Sequence, residues 1–201
     1  MKIVLLIMFI FFAIPSNSQT TYNLSEYLNH INDTVQFKVK DFKGELNKFV
    51  GVWKWIDNNN PKTYFEIHLT KVEDIKRGRL RDSSQYTIDE IIGNYLYVKN
   101  GIIITNTLNN TNYIDLFPCD ACPNMISTYL SPNKLWFSMK DLVKSKIGMP
   151  FFKIIDLETK PFRASWKIPP SNSSFGTELP LDFEGFSIPS EVILIKQTQQ
   201  Q

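Results

Sequence analysis

Cys119 and Cys122 stand in Cys-Asp-Ala-Cys, the spacing in this chain that most resembles thiol chemistry. A Cys-x-x-Cys pair can exchange electrons when its first sulfur opens a helix beside a βαβ unit. Here Phe117-Pro118 and Pro123-Asn124 flank the pair, within strand-like sequence. A structural zinc site needs four ligands. The only histidines, His30 and His68, are distant in sequence. The context favours a local disulfide between Cys119 and Cys122, or simple thiols, with redox and metal roles as alternatives. A loop this short constrains the unfolded chain little, so its effect on stability is small. No metal site and no cofactor are expected.

The other reactive types do not assemble into a frame. His68 falls on the outward face of a strand pattern. His30 ends a short helical pattern, where a cation suits the last carbonyls. No Gly-x-Ser-x-Gly nucleophile turn is present. Asp89-Glu90 and Glu73-Asp74 are adjacent acids, but neighbours on a strand point to opposite faces. Lys76-Arg77-Gly78-Arg79-Leu80-Arg81 is a local basic run, read as a solvated loop between strands. Trp53 and Trp55 share one strand face and could line a cavity or fill a core; Trp136 and Trp166 complete the set. No catalytic residue is identified.

These residues depend on elements that read mostly as strands. Leu24, Tyr27, Leu28 and Ile31 recur at helical spacing behind Asn23, which predicts one short helix over about 24–31. The period then changes to two. Val35, Phe37 and Val39 alternate with polar residues; 49–56 reads FVGVWKWI; Phe65, Ile67 and Leu69 face one way. A hairpin is predicted over 86–107, turning at Asn100-Gly101, because both central residues of a type I′ turn need positive φ. Gly93 inside its outgoing strand suggests a bulge or a close backbone approach. Further hairpins are predicted over 125–139 and 151–168. A polar loop follows over about 169–187, and Glu191–Lys196 reads as a buried last strand. Nine or ten short strands imply an all-β fold, an antiparallel barrel or sandwich.

The first residues carry an address. Lys2 precedes the unbroken apolar run Ile3–Ile14, then Pro15 and small residues at 16 and 18. This is the layout of a secretory signal, and a run this short does not span a bilayer as a helix. The predicted organisation is a signal peptide at 1–18, a helix and lead-in strand over 19–48, a barrel or sandwich over 49–196, and a disordered tail at 197–201. The remaining chain suits one domain. Net charge is +2 over 201 residues, which gives no electrostatic case for nucleic acid. No later segment is apolar enough to cross a membrane as a helix.

Two resemblances follow from these motifs. Phe49-Val50-Gly51-Val52-Trp53 resembles the G-x-W entry of lipocalin-like barrels, where the Gly opens the first strand and the Trp packs at the closed end. The second motif differs, with Asn112-Tyr113-Ile114-Asp115 in place of T-D-Y, and the last strand ends in Lys196 where that group packs an Arg over the Trp. The ordered set of the leader, 49–55, 91–101 and 186–196 resembles an uncharacterised family of small exported proteins of Gram-negative bacteria carrying a domain of unknown function. That resemblance implies export to the periplasm or the cell exterior and a β-rich fold, and carries over no functional residue. The expectation is a non-enzymatic exported β-barrel that binds a small apolar ligand or a protein partner. The alternative is an enzyme, either a thiol oxidoreductase or a hydrolase.

Overall fold

The period-two segments close into a ring. The computed structural model describes residues 19–30, 36–78, 85–109, 125–156, 158, 160–169 and 185–198. The expected leader, Cys119, Cys122, Arg79–Arg81 of the basic run, most of the 169–187 loop and the last residues of the tail lie outside the described residues. In chain order the strands are β1 (Thr20–Asn23), β2 (Phe37–Lys40), β3 (Gly51–Ile56), β4 (Tyr64–Gly78), β5 (Gln85–Lys99) and β6 (Ile102–Asn106). They continue with β7 (Met125–Ser131), β8 (Lys134–Asp141), β9 (Lys146–Gly148), β10 (Phe151–Asp156), β11 (Arg163–Lys167) and β12 (Glu191–Lys196). Between β1 and β2 lie a 3₁₀ turn (Leu24–Glu26) and one α-helical turn (Tyr27–His30). Among the described residues no helix is longer, and none could cross a membrane.

Eight strands form a closed antiparallel barrel: β3, β4, β5, β7, β8, β10, β11 and β12, each beside the next. Closure comes from β12 on β3, with Ile195 opposite Lys54 and Lys196 opposite Trp53. The order around the ring follows the chain, so short turns serve most connections and no sheet edge remains within the ring. Four strands are extra. β6 pairs with β5 and β9 with β8. β1 pairs with β2, and β2 with the outlying half of β5, and both pairings are parallel. The ring is antiparallel as expected, and the parallel pairs lie in the added strands. The helical turns and the β3–β4 excursion supply the crossovers that parallel neighbours need.

The three predicted hairpins form, and Asn100 and Gly101 take φ of 56° and 81° as the type I′ turn requires. Gly93 lies in regular register opposite Leu69, so the bulge expected there is absent; the shift in β4 and β5 falls at Val72/Ile75. The close approach is present instead. A Cβ on Gly93 would meet Leu69 Cδ2 at 2.8 Å and Met125 Cε at 3.3 Å, at the seam where β5 also pairs with β7. β12 is not the fully buried strand its apolar run suggests. Leu194 is buried, whereas Ile193 and Ile195 face outward and are exposed. A strand in a barrel has one wet face.

Inward side chains fill the ring. Trp53, Phe65, Ile67, Tyr95, Phe137, Phe152 and Trp166 are fully buried. Trp53 meets Phe152 edge-on at 5.0 Å, and Phe65 meets Trp166 at 5.5 Å. Eight strands leave an interior that side chains can fill, and aromatic edges and faces fill this one. One end is plugged by residues 41–50, whose Leu46 and Phe49 are buried. Residues 185–190 cross the other end: Trp166 Nε1 donates to the Pro189 carbonyl at 3.1 Å, and Ile188 is buried.

Candidate functional site

At the plugged end, β3 begins and β12 finishes side by side. Gly51 has φ of 123°, a region open in practice to glycine. A Cβ there would also meet Lys196 Cε at 3.2 Å. The missing side chain lets the Lys196 stem lie across the strand and carry its ammonium over two rings. Nζ sits 5.4 Å from the Trp53 centroid and 5.8 Å from that of Phe162. It donates to the Lys48 carbonyl at 2.9 Å. Trp53 is held in turn by its Nε1 donating to the Phe49 carbonyl at 2.8 Å. Among the described residues no carboxylate lies within ion-pair distance of Lys196. Burial pulls its pKa below the usual lysine value.

Beside this ammonium opens a pocket of about 690 Å³, walled by Val50, Pro161 and Phe162, with Asn47, Lys160 and Lys196 adding polar groups. Its size falls within the roughly 300–1,000 Å³ of ligand pockets, and an apolar wall with few polar groups is their usual make-up. The site is therefore suited to holding a molecule. Among the described residues that line it there is no His, Cys, Asp or Glu to make a nucleophile–base pair.

The main concentration of charge lies elsewhere and is internally paired. Asp41 accepts the backbone N–H of Glu45 at 2.7 Å and of Leu46 at 3.0 Å, and Lys71 Nζ lies 3.1 Å away. Asp89 accepts from Lys40 Nζ at 2.9 Å and from the N–H groups of Asp41 at 3.0 Å and Asp74 at 3.1 Å. Burial works to raise the Asp89 carboxyl, but these donors outweigh it and hold the pKa below the usual aspartate value. Tyr129 donates to Glu45; burial and that carboxylate push its hydroxyl up, so it stays a protonated phenol at neutral pH. The cluster ties the 41–50 plug to the β4–β5 hairpin. Its acids are occupied as acceptors and are poorly placed for proton transfer.

The sequence-predicted candidates separate across the fold. His68 lies on the outer face as expected, 2.6 Å from Glu66, with Lys54 3.1 Å from the same carboxylate. His30 stacks on Tyr22 at 3.7 Å. Trp53 and Trp166 are core, Trp55 is half-buried beside it, and Trp136 lies outside against Phe151. Asp89 and Glu90 do point apart, but Asp89 meets Lys40 and Asp74 across the β4 irregularity while Glu90 pairs with Arg77. Arg77 therefore belongs to a strand and a buried pair, which corrects the reading of 76–81 as a solvated loop for its described part, Lys76–Gly78. Among the described residues no group of three or more His, Cys, Asp or Glu is placed to hold a metal. The pocket was not anticipated. Its one sequence signal is the Gly of G-x-W with a lysine closing the last strand.

Residues 1–197 match the model of a family of unknown function, DUF6705. No curated protein matches the chain. No solved structure matches it either.

Proposed function

The chain belongs to this family of unknown function, and we propose from its own site that it is a non-enzymatic exported β-barrel that binds a small, largely apolar ligand. The pocket at the Gly51–Lys196 end is the binding site. One observation carries this reading: the ring itself is filled with aromatic side chains, while an open apolar pocket of ligand size stands outside the plug. Ligand binding thus moves from the barrel interior to its end. The Lys196 ammonium over Trp53 supports a lipocalin-like closed end with Lys in place of Arg. The leader pattern supports export, to the periplasm or beyond the cell.

A protein partner is the second reading. It is favoured by Ile155, Ile193 and Ile195, exposed on the outer face of β10 and β12. The enzyme alternatives have less behind them: the buried carboxylates described above are engaged by donors, and Cys119 and Cys122 lie outside the described residues. Thiol titration of the folded protein tests the redox version, which requires a reactive pair.

Binding of the neutral fluorophore N-phenyl-1-naphthylamine tests the ligand reading. The intact protein should enhance its emission with saturation, and Phe162→Ala should weaken binding by about tenfold, the loss of one well-buried apolar contact surface. Absence of saturable binding, or binding indifferent to Phe162, would remove the pocket as the site.

A further inference from the structure

Lys196, like Lys48 and Lys134, lies over aromatic rings with no acid beside it among the described residues, and of these three it is the one that lines the pocket. Other lysines are held by acids. Lys40 has Asp89 at 2.9 Å, Lys54 has Glu66 at 3.1 Å, Lys71 has Asp41 at 3.1 Å and Lys167 has Glu191 at 3.0 Å. Lys196 is half-buried, yet among the described residues its ammonium meets two aromatic faces and one carbonyl. An ammonium has three N–H donors, and the Lys48 carbonyl takes one. The stem lies over Gly51 and the Lys48 carbonyl tethers Nζ, so the ammonium stays beside the pocket. The two ring faces offset part of the cost of desolvating this cation, and an anion would offset more.

We infer that the pocket takes an apolar ligand bearing a single carboxylate, which pairs with the Lys196 ammonium while the tail lies on Val50, Pro161 and Phe162. The inference rests on the pocket reading above and adds the headgroup to it. The N–H groups that the Lys48 carbonyl leaves over could exchange their ring contacts for the two oxygens of one carboxylate. The one ammonium held in place supplies a single positive charge, which one mono-anionic carboxylate neutralises. Lys160, on the same wall, adds positive field without a fixed partner geometry. The lowered pKa of Lys196 agrees with a charge that is desolvated and uncompensated. A bound carboxylate would restore it.

Displacement of N-phenyl-1-naphthylamine by dodecanoate and by dodecanol separates the two claims. In the intact protein dodecanoate should compete at least tenfold better than dodecanol. Lys196→Met keeps the apolar stem and should erase that ratio by weakening dodecanoate alone; Lys196→Arg should keep most of it. Equal competition by the two in the intact protein, or a ratio that survives Lys196→Met, overturns the carboxylate and leaves the pocket standing. Failure of both to compete overturns the pocket and the carboxylate together. Should Lys196→Met not fold, by its far-ultraviolet circular dichroism, the ratio in the intact protein and in Lys196→Arg decides.

Discussion

Gly51 meets two requirements at one atom: a φ that L-residues rarely adopt, and space for the Lys196 stem. Gly51→Ala should therefore lower stability by about 2–3 kcal/mol, the cost of a strained backbone plus a displaced neighbour, read as a shift in the urea midpoint. Asp89 sits at the same scale with the opposite chemistry, a buried acid held by three donors. Its pKa in the folded chain lies below the ordinary 3.8. Its contribution is thus fully present above that ordinary value and is lost as pH falls through the folded value. Asp89→Asn should cost about 2–3 kcal/mol near pH 7, since Lys40 and two N–H groups lose their anion. The gap between variant and parent should narrow below about pH 4; urea titrations at pH 7 and pH 3 measure it, and a constant gap would contradict the assignment. The sequence made Gly51 and Trp53 visible as a pair, because their spacing is local. Lys196 is legible as a partner of Trp53 only through the lipocalin-like resemblance, and Asp89 is opaque, because what completes it comes from segments far away along the chain.

The elements show where local pattern suffices and where it stops. Phe65, Ile67 and Leu69 face inward as alternation requires, and Asn100-Gly101 turns as its residue types require, since period and turn chemistry are short-range properties. The parallel attachment of β1 and β2 is a tertiary choice that no local pattern encodes. The apolar run of β12 reads as buried, yet alternate positions face water, which Val-Ile-Leu-Ile does not reveal by itself. Residues 185–190 read as the end of a polar loop, yet Asp141 makes them a strap. Asp141 accepts from the Ser187 N–H at 2.6 Å and from its hydroxyl at 2.7 Å, and Ile168 N–H reaches the Ser190 carbonyl at 2.7 Å. Ser187→Ala removes one hydrogen bond to a charged acceptor, about 1.5–3 kcal/mol. That cost should appear locally: faster amide exchange over 186–190 and a red-shifted tryptophan emission as Trp166 wets, with the global melting point moved less. Uniform acceleration across the barrel would show instead that the strap and ring open as one unit.

At the scale of the molecule the ring is completed by its last strand. β3 has β4 on one side, and its other side waits for β12, which pairs with both β3 and β11. Until residues 191–196 arrive, β3 and β11 are open edges, and the Trp53 and Trp166 faces lack their cover. Leu194 and the half-buried Val192 supply part of that cover, the fully buried Leu194 worth about 1.5–3 kcal/mol and Val192 less. The ladder bonds to two neighbours add to this. Domain stability is only about 5–15 kcal/mol, so losing β12 should remove most or all of it. A chain ending at Ser190 should then lack a cooperative urea transition and bind apolar dyes as open edges and aromatic faces become available. Adding the peptide 191–198 in trans should restore tryptophan burial, because it supplies the one strand that β3 and β11 lack. A truncated chain that keeps a sharp transition at the parent midpoint would mean that the seven remaining strands form a core without closure. In that case the pocket would depend on β12 while the barrel did not.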